Sequence, residues 1–130
     1  MPASNTRIGT SNIVLPGPKK DFPEPFRTAT RLTYYSSLFN TVELNSPFYK
    51  VPQATTFQKW SAETTANFEF TVKLWRNITH TKTWTVDEID FFIKVINTVG
   101  NKKGCLLIQF PASIKATHHK QLEKILQRIN

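Results

Sequence analysis

Phe68-Glu69-Phe70-Thr71-Val72-Lys73-Leu74 alternates apolar with polar side chains over seven positions. A period of two marks a β-strand whose faces meet different environments, because successive side chains leave a strand on opposite sides. Further on the period lengthens. Thr85-Val86-Asp87-Glu88 has the spacing of a capping box, and Ile89, Phe92, Ile93 and Ile96 follow at helical intervals until Gly100 can close the helix. A strand followed by an amphipathic helix is the unit from which the rest of the chain reads.

Downstream the unit recurs: residues 104–110 are a mainly apolar run of strand length ended by Pro111, and Leu122, Ile125, Leu126 and Ile129 mark the inner face of a helix beginning near Thr117. Upstream, a short strand is expected over 41–45. The proline-bracketed Pro47-Phe48-Tyr49-Lys50-Val51-Pro52 reads as a loop, and a short helix over 56–62 should bury Phe57 and Trp60, three apart on one face. The first strand is expected over 7–11, stopped by the Pro- and Gly-rich stretch 12–18. A loop through Lys19, Lys20, Asp21, Pro23 and Pro25 then leads to a helix capped by Thr28 or Thr30, with Leu32, Tyr35 and Phe39 inside. Four strand-then-helix units without hairpin turns imply parallel pairing and the α/β class. A flavodoxin-like or Rossmann sheet satisfies the same order, but no Gly-x-Gly-x-x-Gly turn follows a strand, there is no Walker loop, and four glycines in all argue against a Gly-rich phosphate cradle.

The 130 residues suit one domain, and 39% hydrophobic with 12% aromatic residues supplies a core. Seventeen Lys plus Arg against nine Asp plus Glu give +8, a field that attracts anions. The basic residues are scattered with no run longer than two, so a solvated basic surface explains them and a nucleic-acid partner is not expected. Cys105, the single cysteine, cannot form an intramolecular disulfide; within Cys105-Leu106-Leu107-Ile108 it is expected to be a buried thiol in a reducing compartment. No basic-then-apolar leader opens the sequence and no apolar run approaches the ~18 residues of a membrane span, so a soluble cytoplasmic protein is expected. Asn77-Ile78-Thr79 matches the glycosylation pattern, which carries no weight without an export signal.

In a barrel of parallel strands, polar residues of one parity near the strand C-termini gather at one mouth. Glu43 and Asn45 share a face of the second strand, Thr71 and Lys73 of the third, and Gln109 ends the fourth; Val42, Leu44, Val72, Leu74, Ile108 and Phe110 take the opposite parity. The first strand adds Thr10 or Ser11. Arg76 and His80 follow the third strand in a loop, and Tyr49 can reach the mouth from the second. One reading is structural: Glu43 and Lys73 pair inside a closed barrel end while Asn45 and Gln109 satisfy loop backbone groups. The other is functional, because a carboxylate, an ammonium, a guanidinium and an imidazole exceed what loop anchoring needs and suit acid-base work with anion binding. Glu43 and His80 alone are too few for a closed metal site, and His118 and His119, in the first turn of the last helix, are expected to be exposed.

Several stretches resemble the YecE-like family, domain of unknown function 72. They are Ile8-Gly9-Thr10-Ser11; Phe39-Asn40-Thr41-Val42-Glu43-Leu44-Asn45-Ser46-Pro47-Phe48-Tyr49-Lys50-Val51-Pro52 with Tyr35 before it; Phe57 with Trp60; Phe68-Glu69-Phe70-Thr71-Val72-Lys73; Ile78-Thr79-His80; and Leu107-Ile108-Gln109-Phe110-Pro111. The resemblance covers nearly the whole chain and departs at Asn12-Ile13, where many relatives have Gly-Trp. It implies a TIM-type (β/α)8 barrel, a fold of typically ~250 residues, so residues 1–130 are expected to form a single (β/α)4 half-barrel domain with the C-terminal half of the family barrel absent. The family supplies no settled activity.

The function expected from the residues is acid-base chemistry at the strand C-terminal mouth on a small anionic or polyhydroxylated substrate. Glu43, Lys73 and His80 are the catalytic candidates, and Asn45, Tyr49, Arg76 and Gln109 the substrate-binding ones. No cofactor or metal is assigned. The alternative is a non-catalytic binding module for nucleic acid or a protein partner, or an inactive truncated fragment. A half-barrel exposes two sheet edges, so either a homodimer through those edges or a marginal, aggregation-prone chain is expected.

Overall fold

The computed structural model describes residues 5–129. Its centre is a parallel sheet of β1 (Thr41–Leu44), β2 (Glu69–Lys73) and β3 (Lys103–Leu107), in that order. Val42 stands beside Phe70 and Glu43 beside Thr71; Val72 stands beside Leu106 and Lys73 beside Leu107, with an irregularity between Phe70 and Val72. The first predicted strand runs parallel to β1 as its outer neighbour, through one isolated bridge, Ser11 to Glu43, rather than a continuous ladder. Its backbone bonds are Asn40 N to Ile8 O at 3.3 Å, Glu43 N to Thr10 O at 3.1 Å and Asn12 N to Glu43 O at 2.8 Å.

Side chains complete this edge. The buried Tyr35 hydroxyl accepts from Thr10 N at 2.7 Å and donates to Thr41 O at 3.0 Å, while Asn40 Oδ1 accepts from Ile8 N at 2.8 Å. Gly9 is required by closeness: a Cβ there would lie 2.0 Å from Thr41 O. The segment therefore holds its place through a glycine and two polar side chains.

The helices α1 (Arg31–Leu38), α3 (Ala54–Glu63), α5 (Val86–Ile96) and α6 (His119–Ile129) cover one face of the sheet. They bring Leu32 and Tyr35, Phe57, Ile89 and Phe92, and Ile125 onto Val42, Leu44, Phe70 and Val72 in one apolar core. Thr30 caps α1, accepting from Thr33 N at 3.1 Å, and Thr85 and Glu88 form the predicted capping box of α5. Gly100, at φ 68°, turns the chain after α5. Lys102 spans from there to the end of α3, donating to Ser61 O at 2.5 Å and Thr64 O at 2.9 Å, where orphan carbonyls favour a cation.

The structure corrects four expectations. The loop expected at 47–52 begins with one helical turn, α2 (Ser46–Tyr49), because proline is accommodated at the first helical positions. The loop after β2 likewise contains a turn, α4 (Arg76–Thr79). β3 ends at Leu107, so Gln109 lies beyond it. Cys105 is exposed rather than buried, since β3 is an edge strand whose residues are only exposed or half-buried.

Candidate strand-end site

At the C-terminal end of β1 three polar side chains form a directed chain. Asn45 Nδ2 donates to Ser11 Oγ at 2.7 Å, and Ser11 Oγ donates to Glu43 Oε1 at 3.2 Å. The bridge between Ser11 and Glu43 is what sets these groups side by side. Asn12 folds over the same end, in the left-handed region at φ 61°, with Oδ1 3.4 Å from the Asn45 amide. Asn45 Oδ1 is buried without a hydrogen-bond partner, a costly state for a carbonyl oxygen.

The second group centres on Phe48, carried by α2 and buried. Lys73 Nζ stands 4.4 Å from the Phe48 ring centroid, and the His80 ring meets the same ring edge-on at 5.0 Å. A cation over an aromatic face is attracted by the ring quadrupole, and the ring orients the ammonium without neutralising it. Lys73 and Glu43 do not pair: the ion pairs among the described residues are Arg7–Glu69, Lys59–Glu63 and Arg128–Asp90, and none involves the strand ends.

His80 follows α4, with Nδ1 2.7 Å from the buried Thr79 hydroxyl. Slight desolvation of this exposed ring, then Arg76, then Lys73 hold its pKa below the ordinary 6.5. A neutral imidazole near two cations can accept a proton or donate through its second nitrogen.

Of the predicted residues, the fold brings Glu43 and Asn45 into one hydrogen-bonded group, and Lys73 and His80 onto one ring, with Arg76 in electrostatic reach of His80. Tyr49 packs edge-on against Phe48 at 4.9 Å but is 66% exposed, and Gln109 is exposed with no hydrogen bond to the others. Ser11 and Phe48 are the residues that pattern reading left without an assigned role. Phe48 looks like an ordinary core aromatic in sequence; Ser11 carried a signal as a hydroxyl at the end of the first strand. Among the described residues no group of three His, Cys, Asp or Glu side chains could hold a metal ion, and no helix is long and apolar enough to cross a membrane.

Parallel strands with a helix after each, apolar on the covered face and polar at the C-terminal ends, define the front half of a TIM-type barrel with a candidate site at its mouth. The chain belongs to the DUF72 family of proteins of unknown function, whose model matches residues 7–130. It is 32% identical over 98 residues to the UPF0759 protein YunF of Bacillus subtilis (strain 168), covering 69% of this chain and 35% of that protein. Two crystal structures of a DUF72 family protein from Enterococcus faecalis V583 share the fold, with TM-scores of 0.74 and 0.72 at 22% and 20% identity. They cover 94% of this chain, which spans 46% and 47% of theirs.

Proposed function

We propose that the mouth takes a small anionic or polyhydroxylated substrate and acts on it by acid-base chemistry. The observation that carries this reading is the separation of charges at the strand ends. Glu43 is hydrogen-bonded to a neutral serine, and Lys73 is held over an aromatic ring with no carboxylate within salt-bridge distance among the described residues. Charges left unneutralised at a barrel mouth are available to a ligand. In this reading Glu43 is the acid or base, oriented by Ser11 and Asn45. Lys73 and Arg76 hold negative charge, and His80 moves a proton or orients the substrate. Asn45, Tyr49 and Gln109 line the approach.

Barrel sites draw groups from several strand ends around the ring. This chain, spanning about half the length of the solved relatives, is therefore proposed to keep only weak anion binding, with full activity in the longer relatives. A thermal-shift screen of phosphate esters, sugar acids and sugars, on this chain beside the Bacillus relative, tests both parts. Stabilisation of the relative by members of these classes, weaker here and reduced by Lys73→Met, is expected. Equal stabilisation of both chains sinks the half-site argument, and no stabilisation of either sinks the substrate class.

A further inference from the structure

His80 has a second neighbourhood. Away from Phe48 it lines a cleft of about 370 Å³ between the stretch after α4 and the stretch leading into α6, with Lys82, Ser113, His118 and Gln121 also in its walls. That volume lies in the ~300–1,000 Å³ range of small-molecule sites. No acidic residue lines it. The walls are tied together by Gln121, whose Nε2 donates to Ile78 O at 3.4 Å.

The cleft's polar lining is rich in groups that can donate to an anion. His118 Nδ1 accepts from Lys115 N at 3.0 Å, so in the neutral ring the proton sits on Nε2, which is left to donate. Thr79 engages Nδ1 of His80, leaving Nε2 as that ring's other hydrogen-bonding atom. Lys82 is exposed, with no carboxylate within salt-bridge distance among the described residues, whereas Arg7, Arg128 and Lys102 are each committed to holding elements together. Lys82 and Gln121 also line an adjoining groove with Trp84, Val86 and Lys124, which gives the organic part of a ligand an apolar wall and a second cation.

We propose that this cleft is a phosphate subsite for a small phosphomonoester, held by Lys82, His118, His80 and Ser113, with the organic group running along Trp84. It meets the mouth reading at one residue, since His80 lines the cleft and also contacts Phe48, and phosphate binding in the cleft does not require a ligand at the mouth.

The test is a titration of the whole chain with inorganic phosphate and with phenyl phosphate, with phenol as the control lacking the anion. Imidazole resonances of His80, His118 and His119 are followed by NMR. Saturable shifts at His80 and His118 that exceed those at His119 are expected, with tighter binding of phenyl phosphate than of phosphate and no response to phenol. Lys82→Met, at an exposed position, should keep the melting temperature and weaken binding by about tenfold, the scale of a lost charge-assisted hydrogen bond. Equal shifts in all three rings, no saturation, or unchanged affinity in Lys82→Met overturns the proposal. Glu43→Gln separates the two readings, because it lies outside the cleft. Phosphate shifts that persist while no mouth ligand is found leave the cleft standing and remove the mouth; the reverse removes the cleft.

Discussion

β2 presents two surfaces made of consecutive residues. Phe70 and Val72 are 0% and 2% exposed beneath the helices, whereas Thr71 and Lys73, on the other face, are only half-buried. On the covered face packing decides identity, since each side chain fills a volume bounded by several elements. On the other face the side chains keep access to solvent and can be charged. The same strand thus supplies stability from one parity and chemistry from the other.

The largest expected break in this contrast is on the covered side. Phe70→Ala should cost about 3–5 kcal/mol of unfolding free energy, as large aromatic truncations in cores do, measured by urea denaturation. A loss under about 1 kcal/mol, the centre of the range for point mutants, would mean that the helix face is loosely packed and the contrast is false.

Gly9→Ala tests the seam between the first segment and β1, where the added Cβ meets Thr41 O at 2.0 Å. It should cost about 1–3 kcal/mol, the scale of overpacking. It should also raise hydrogen exchange at Glu43 and Asn12, whose amides bond across that seam. Exchange unchanged at those amides would show that the seam is not what positions Ser11.

On the open face the expected effect on folding is smallest. Glu43→Gln should leave stability within about 0.5 kcal/mol, because the carboxylate has no ion-pair partner. A larger destabilisation would favour a structural role for Glu43 and blur the division between faces.

The finest probe is His80. Its folded pKa lies below the unfolded 6.5, so the unfolded chain binds its proton first as pH falls. The stability this contributes is present above 6.5 and is lost as pH drops from there through the folded value. Its NMR titration midpoint should lie under 6.5 and rise in Arg76→Met, by more than in Lys73→Met, the order in which the two cations act. No movement in either variant would place both charges out of reach of the ring.

Reading parity along Phe68–Leu74 succeeded because alternation is a local property of an extended backbone, and Thr85 with Glu88 was legible because a capping box is closed within one turn. Cys105 misled for the converse reason: an apolar run reports the tendency to be buried, and an edge strand leaves that tendency unmet. The helical turn at Ser46–Tyr49 was hidden by prolines that signal a break in most contexts and a helix start in this one.

The sequence by itself determined the family, the strand-helix order and the set of polar residues at the strand ends, all carried by periodicities and motifs a few residues long. Only the tertiary structure decided that Ser11 links Glu43 to Asn45, that Lys73 and His80 both meet the Phe48 ring, and that Lys82 and His118 share one cleft. Each of these joins residues about 25 to 36 positions apart, except Lys73 with His80, and such distances are closed by the sheet register and helix packing of the whole chain, not by any local preference.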